Sequence, residues 1–284
     1  MLRILRARRH QGFRTPAFPD GPPPPLPERF RGRPELEAER CVDGCRACAE
    51  VCPADAIRIV GGAESKESTR GNEGGRPKKS RMQIDLGRCL FCDECRAACP
   101  ADALACGGDY RLATRTREDL LLGAEGPRLA VALEDKTRRL FGRSLKLRVV
   151  SAGGCNACEA DTNVLTTIGW DIGRFGIQYV AAPRHADGLL ITGPVTTNMR
   201  LALRKTYDAV PSPKLVIAVG ACAISGGLYR EQPEQMGGAG AEVPVDLYIP
   251  GCPPHPLTIL DGFLRLLGRI GGVRETAGSG SCEP

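Results

Sequence analysis

No stretch of about eighteen uncharged apolar residues occurs in this chain of 284 residues, so no segment is suited to crossing a bilayer as a helix. The start of the chain does not resemble a secretory signal peptide, which leaves a disulfide framework without support. Aromatic residues make up only 5% and no nucleic-acid recognition motif is present, so the net charge of +6 does not argue for DNA or RNA. A glycine loop of the nucleotide-binding kind is also lacking. GGAGAE at 237–242 has no strand before it and no helix after it, and reads as a plain loop.

Cysteine is what the chain has instead. Twelve of its 14 cysteines fall into three groups, leaving Cys106 and Cys282 over. Cys41, Cys45, Cys48 and Cys52 form one run, followed by Pro53; Cys89, Cys92, Cys95 and Cys99 form another, followed by Pro100. Cys-x-x-Cys-x-x-Cys-x-x-x-Cys-Pro is the pattern of two-cluster ferredoxins, in which the fourth cysteine ligates the other cluster. The second run fits it without exception. The first has one extra residue between Cys41 and Cys45, which a bulge at Gly44 can absorb. The rule predicts one [4Fe-4S] cluster on Cys41, Cys45, Cys48 and Cys99 and another on Cys89, Cys92, Cys95 and Cys52. Zinc is the alternative, but zinc sites pair two Cys-x-x-Cys motifs across a long spacer. Residues 41–106 thus resemble a bacterial-type ferredoxin domain. IRIV (57–60) and RMQIDL (81–86) read as short strands, and the polar, glycine-rich 61–80 reads as a flexible insertion at a hairpin tip.

From residue 146 the pattern changes. LRVVSAG (147–153), GLLITG (188–193), KLVIAVG (214–220) and VDLYIPG (245–251) are short apolar runs ending at glycine, and IQYVAA (177–182) is a candidate fifth strand. Segments of helix length lie between them, among them 197–209, and PHPLTILDGFLRLLGRI (254–270) reads as an amphipathic helix. Alternating strands and helices predict a parallel α/β sheet. Cys155 and Cys158, Cys222, and Cys252 each follow one of these runs. Such sheets bind ligands beyond the carboxyl ends of their strands, so the four converge on one edge and can hold a third cluster. Taken singly, Cys222 and Cys252 could equally be buried core cysteines.

GGCNACE, RFGIQYVAAPRHAD, ITGPVT, VGACAISGG and IPGCPP, spread over about 147–268, resemble one family: the terminal-cluster subunit of complex I and the small subunits of membrane-bound [NiFe] hydrogenases. The resemblance implies a flavodoxin-like fold, a [4Fe-4S] cluster on Cys155, Cys158, Cys222 and Cys252, and electron exchange with a separate large subunit. It places the chain as a non-catalytic oxidoreductase subunit, held peripherally by integral membrane subunits on the cytoplasmic face and served by a soluble donor or acceptor. Cys155-Asn156-Ala157-Cys158 has the spacing of the hydrogenase branch, where complex I carries adjacent cysteines; a quinone-reducing complex is the alternative. The chain lacks the paired Cys-x-x-Cys motifs by which large subunits hold nickel. MLRILRARRHQGFRTPAFP (1–19), then ERFRGRPEL (28–36) before Cys41, resembles the arm of the two-cluster ferredoxin subunit of the same machines, so the whole resembles a fusion of two neighbouring subunits.

The expected organisation is a basic, proline-rich arm over 1–40, a ferredoxin domain over 41–108, a helical linker over 109–145, the small-subunit-like domain over 146–273 and a flexible tail over 274–284. Residues 1–14 hold five arginines and no acid, suited to anionic lipid, an acidic partner or plain solvation. PDGPPPPLP (19–27) is a stiff spacer suited to lying along a surface. Glu159 is a candidate for tuning the third cluster, carrying protons, or capping; His255 for proximity to that cluster; His185 for a structural hydrogen bond; and Arg174 for contact with the large partner.

Overall fold

The structure, a computed structural model, describes residues 2–60, 81–123 and 128–270. The expected insertion at 61–80, the tail at 274–284 and Cys282 lie outside the described residues.

The chain opens with helix α1 (Leu2–Gln11), none of whose side chains is buried. Beyond it the arm lies against the C-terminal half. Thr15 Oγ1 donates to Ile168 O at 2.6 Å, Phe18 is buried, and Leu26 packs on the same core. Strand β1 (Pro34–Leu36) then pairs with a later strand at Leu104–Cys106.

The ferredoxin-like part is built twice over. Short helix α2 (Ala47–Glu50) leads to β2 (Ile57–Val60), and β3 (Arg81–Asp85) leads to α3 (Glu94–Ala97) and β4 (Leu104–Cys106). β2 and β3 pair antiparallel, as do β1 and β4. β5 (Leu121–Leu122) extends the β2–β3 pair into three strands.

Residues 109–145 do not form a helical linker. Among the described residues they contain a 3-10 turn at Glu118–Leu120, β5, and helix α4 only at Asp135–Phe141. The physical reason is edge satisfaction: sheet edges carry unpaired backbone groups, and this segment supplies partners to both sheets. β5 completes one edge. On the other, Thr114 and Tyr248 exchange backbone hydrogen bonds of 3.0 and 2.9 Å.

The C-terminal half runs β6 (Leu145–Ser151), α5 (Ala157–Val164), β7 (Ile177–Tyr179), β8 (Gly188–Thr192), α6 (Thr197–Ala209), β9 (Leu215–Val219), α7 (Ala221–Ser225), β10 (Leu247–Ile249) and α8 (Pro256–Leu266). The sheet is parallel, in the order β10-β9-β8-β6-β7. Numbered within the sheet, this is the 2-1-3-4-5 order of flavodoxin-like folds, with the topological switch between β6 and β8.

Alternation along the central strands divides their side chains between two cores. Leu190, Leu215, Ile217 and Val219 face α8, while Leu189, Ile191, Val216 and Ala218 face the other way. That second core also takes in Ile57, Met82, Ile84, Leu86 and Leu120 from the ferredoxin-like part. The two halves therefore pack through one continuous apolar cluster.

Helix α8 is buried along its whole length rather than amphipathic in its setting. The arm and the 128–141 segment cover the face that the sequence pattern leaves for solvent: Phe18, Leu133 and Phe141 join its core, and Leu133 N donates to Leu266 O at 3.0 Å. Its two charges, Asp261 and Arg265, pair at 2.7 Å across one helical turn.

Candidate metal centres

The two ferredoxin runs do not close on themselves. Cys41, Cys45, Cys48 and Cys99 line one small apolar cavity with Leu36, Met82 and Leu104. Cys52, Cys89, Cys92 and Cys95 line another with Ile57, Ile84 and Leu104. The cause is local: α2 and α3 carry Cys48 and Cys95 in their single turn, and the chain leaves each helix pointing the following cysteine at the neighbouring cavity. The repeat extends to the sulfur hydrogen bonds. Ala56 N donates to Cys52 Sγ and Ala103 N to Cys99 Sγ, both at 3.3 Å, and Phe91 N donates to Cys89 Sγ at 3.4 Å.

Thiols so placed resist ionisation. Burial, then Cys95, Cys52 and Cys92, push Cys89 up to about 12; burial, then Cys52 and Cys92, push Cys95 up to about 11. Burial, with Cys41 and Cys45, also raises Cys48. A bound cation reverses this cost, since metal binding takes the thiolate and releases the proton. Four thiols around an apolar cavity, with backbone N–H groups bonded to sulfur, suit a multi-atom iron–sulfur cluster.

The third group assembles at the carboxyl edge of the parallel sheet. Cys155 and Cys158 follow β6 at the switch point, Cys222 sits in α7 just past β9, and Cys252 follows β10. Burial, then Cys222, Cys252, Glu159 and Cys155, raise Cys158; burial, then Cys252, Cys155 and Glu159, push Cys222 up to about 11. Two glycines make room for sulfur. A Cβ on Gly220 would lie 2.5 Å from Cys158 Sγ, and one on Gly227 would lie 2.8 Å from Cys222 Sγ. Cys155 and Cys252 are exposed, so the group opens outward.

The second and third groups are neighbours. Burial, then Cys155 and Cys92, raise the Cys252 thiol, so Cys92 of the ferredoxin-like part lies within electrostatic reach of it. A single cavity is lined by Leu90 and Phe91 on one side and by Gly251, Cys252 and Pro253 on the other.

The remaining candidates are spread over the fold. Glu159 is buried and its Oε1 accepts a 2.7 Å hydrogen bond from Thr192 Oγ1, beside the third group. His255 caps α8, its Nδ1 accepting from Leu257 N at 3.1 Å, and stacks edge-on against Phe30 and Trp170; burial lowers its pKa. His185 lies with Lys146 and Pro213 at the amino ends of the strands, the edge opposite the cysteines. Arg174 donates to Pro16 O at 2.6 Å and Phe18 O at 2.7 Å, so it fastens the arm. Cys106, left over in the sequence, lines the same cavity as Cys52, Cys89, Cys92 and Cys95, and its thiol donates to Asp93 Oδ1 at 2.8 Å. Burial first and that bond second push it up to about 12. Sequence reasoning singled out neither Arg31 nor Arg230, which reach the Cys92 and Cys52 loops, although Arg31 lies in the arm segment ERFRGRPEL (28–36).

Comparison with known proteins agrees with this layout. Residues 155–266 match the family described as NADH ubiquinone oxidoreductase, 20 kDa subunit, and residues 33–103 match a 4Fe-4S dicluster domain. A probable membrane-bound hydrogenase subunit of Pyrococcus furiosus is 39% identical over 132 residues, covering 46% of this chain and 79% of that protein. Formate hydrogenlyase subunit 7 of Escherichia coli is 42% identical over 141 residues, 50% of this chain and 55% of that one. An NADH-quinone oxidoreductase subunit of Geotalea daltonii is 40% identical over 126 residues, 44% of this chain and 74% of that one. The chain belongs to the family of the 20 kDa subunit of NADH ubiquinone oxidoreductase, carried here behind a 4Fe-4S dicluster domain.

Proposed function

We propose that this chain is the electron-transfer subunit of a membrane-associated, complex-I-like [NiFe] hydrogenase, linking a soluble donor to a separate large subunit. The observation that carries the reading is the serial placement of three cysteine groups, with Cys99 and Cys52 exchanged between the first two and the Leu90–Phe91 stretch sharing a cavity with Cys252. Cys41, Cys45, Cys48 and Cys99, then Cys52, Cys89, Cys92 and Cys95, then Cys155, Cys158, Cys222 and Cys252 would hold three [4Fe-4S] clusters. Bound there, such clusters supply one-electron storage at potentials set by burial and by hydrogen bonds to sulfur. The residues of this chain contribute the rest. Ala56, Ala103 and Phe91 amides bond to the thiolate sulfurs, apolar walls keep water away, and Gly220 and Gly227 let backbone approach the third group.

Exposed Cys155 and Cys252 mark the edge where the large subunit would sit. Among the described residues no helix is long and apolar enough to cross a membrane, so attachment would be peripheral and through partner subunits. The Cys155-Asn156-Ala157-Cys158 spacing supports hydrogen turnover over quinone reduction; the likeness to hydrogenase subunits and to NADH-quinone oxidoreductase subunits is of similar degree.

Anaerobically purified chain is expected to hold about twelve irons with matching acid-labile sulfide. Membranes containing its complex are expected to evolve hydrogen from a low-potential donor, and Cys158→Ala to abolish this while both ferredoxin clusters stay reducible by dithionite. Stoichiometric zinc without iron would end the redox reading. Quinone reduction without hydrogen turnover, in an intact complex, would move the chain to the quinone-reducing branch.

A further inference from the structure

The second and third cysteine groups belong to separate sheets that share one apolar core, a joint that opposes gross relative motion, so what remains to be fixed is the placement of the loops that carry the cysteines. Two arginines make contacts at those loops. Arg230 follows α7, the helix that holds Cys222. Its Nη1 donates to Ala54 O and its Nη2 to Asp55 Oδ2, and the side chain is only 16% exposed. Ala54 and Asp55 come directly after Cys52 and Pro53, and the next amide, Ala56 N, is the one bonded to Cys52 Sγ at 3.3 Å.

Arg31 acts on the other side of the same group. Its Nη1 donates to Cys92 O at 3.0 Å and Phe91 O at 3.4 Å. The preceding residue, Phe30, packs its ring against His255, 5.4 Å between centroids, and His255 lies three residues past Cys252. Arg31 therefore ties the Cys92 loop to the arm where the arm rests on the Cys252 loop. A lighter contact lies between them, Ser225 Oγ donating to Gly87 O at 2.8 Å. A guanidinium offers several donors in a fixed plane, so one side chain can hold two acceptors of a neighbouring loop and fix its orientation as well as its distance.

We propose that Arg31 and Arg230 form a two-point clamp that sets the separation of the Cys52/Cys89/Cys92/Cys95 group from the Cys155/Cys158/Cys222/Cys252 group. Both are positioning residues, acting through the loops rather than on a cluster. The inference rests on the reading of these cysteines as cluster ligands.

The test compares the full chain with its Arg31→Met/Arg230→Met variant, both reconstituted anaerobically with iron and sulfide and reduced. Pulsed EPR reads the dipolar couplings among the reduced clusters, and the component followed is the one between the clusters of the second and third groups. Wild type is expected to give one narrow distance distribution. The variant is expected to keep its iron but lose the narrow component, and Arg31→Lys/Arg230→Lys to recover it in part, since lysine retains charge and one-point contact. An unchanged distribution at full iron content overturns the clamp. Should the double variant fail to fold, Arg31→Met, Arg230→Met and Asp55→Asn are read singly, and unchanged distributions in all three overturn it equally. A wild-type chain that reconstitutes without the third cluster overturns the functional reading and the clamp with it, whereas intact wild type with unmoved variants overturns the clamp alone.

Discussion

Gly220 adopts φ 91° and ψ 156°, backbone space that residues with a Cβ enter only at a cost on the order of 1–3 kcal/mol. The same position approaches a proposed ligand, since an added Cβ would lie 2.5 Å from Cys158 Sγ and both are held by packed elements. Gly220→Ala is therefore expected to eject the third cluster, lowering iron by about a third of the twelve while the two ferredoxin clusters remain. Iron analysis with EPR checks this, and full iron in a folded variant would show that the edge can widen. Arg174 makes a complementary point. Its place in a family-like motif suggests a partner contact, and within the chain its guanidinium donates to the carbonyls of Pro16 and Phe18.

At the scale of elements, α2 and α3 explain why the cysteine runs cross. Each is a single turn that carries one cysteine inward and releases the next toward the opposite cavity. Cys99→Ala is accordingly expected to remove the cluster whose other ligands are Cys41, Cys45 and Cys48, leaving the one at Cys89, Cys92 and Cys95. Loss of the latter instead, seen by EPR on the purified chain, would mean that each run serves its own cluster. Helix α8 shows the limit of pattern reading. Asp261 and Arg265 lie one turn apart and suggest a solvent face, but they neutralise each other under the arm and the segment before β6.

At the scale of the whole molecule, the second core matters most, because one face of the parallel sheet is covered by Ile57, Met82, Ile84, Leu86 and Leu120. A chain beginning at residue 124 would expose Leu189, Ile191, Val216 and Ala218 on that side wherever α6 does not cover them. Apolar patches of this kind drive association. Such a truncation is expected to aggregate, or to appear only as oligomers in size-exclusion chromatography, under conditions where the full chain of the complex stays dispersed. A monodisperse fragment with its third cluster intact would show instead that the two halves fold and pack independently.

Much of this was written locally. Cysteine spacing is a property of short loops, so the grouping of Cys41–Cys52 and Cys89–Cys99 could be read directly. Short apolar runs ending at glycine announced β6, β8, β9 and β10, and with them the edge on which Cys155, Cys158, Cys222 and Cys252 meet. Contacts between distant segments leave no such local mark. Edge pairing of Thr114 with Tyr248 turned an expected helical linker into extended chain, and coverage by Phe18, Leu133 and Phe141 buried α8 on every side. The nearness of Cys92 to Cys252, and the arginines reaching across that gap, likewise arise only when two separately patterned units are packed together. Local periodicity and loop spacing determined which groups exist; long-range packing decided how they are ordered and held.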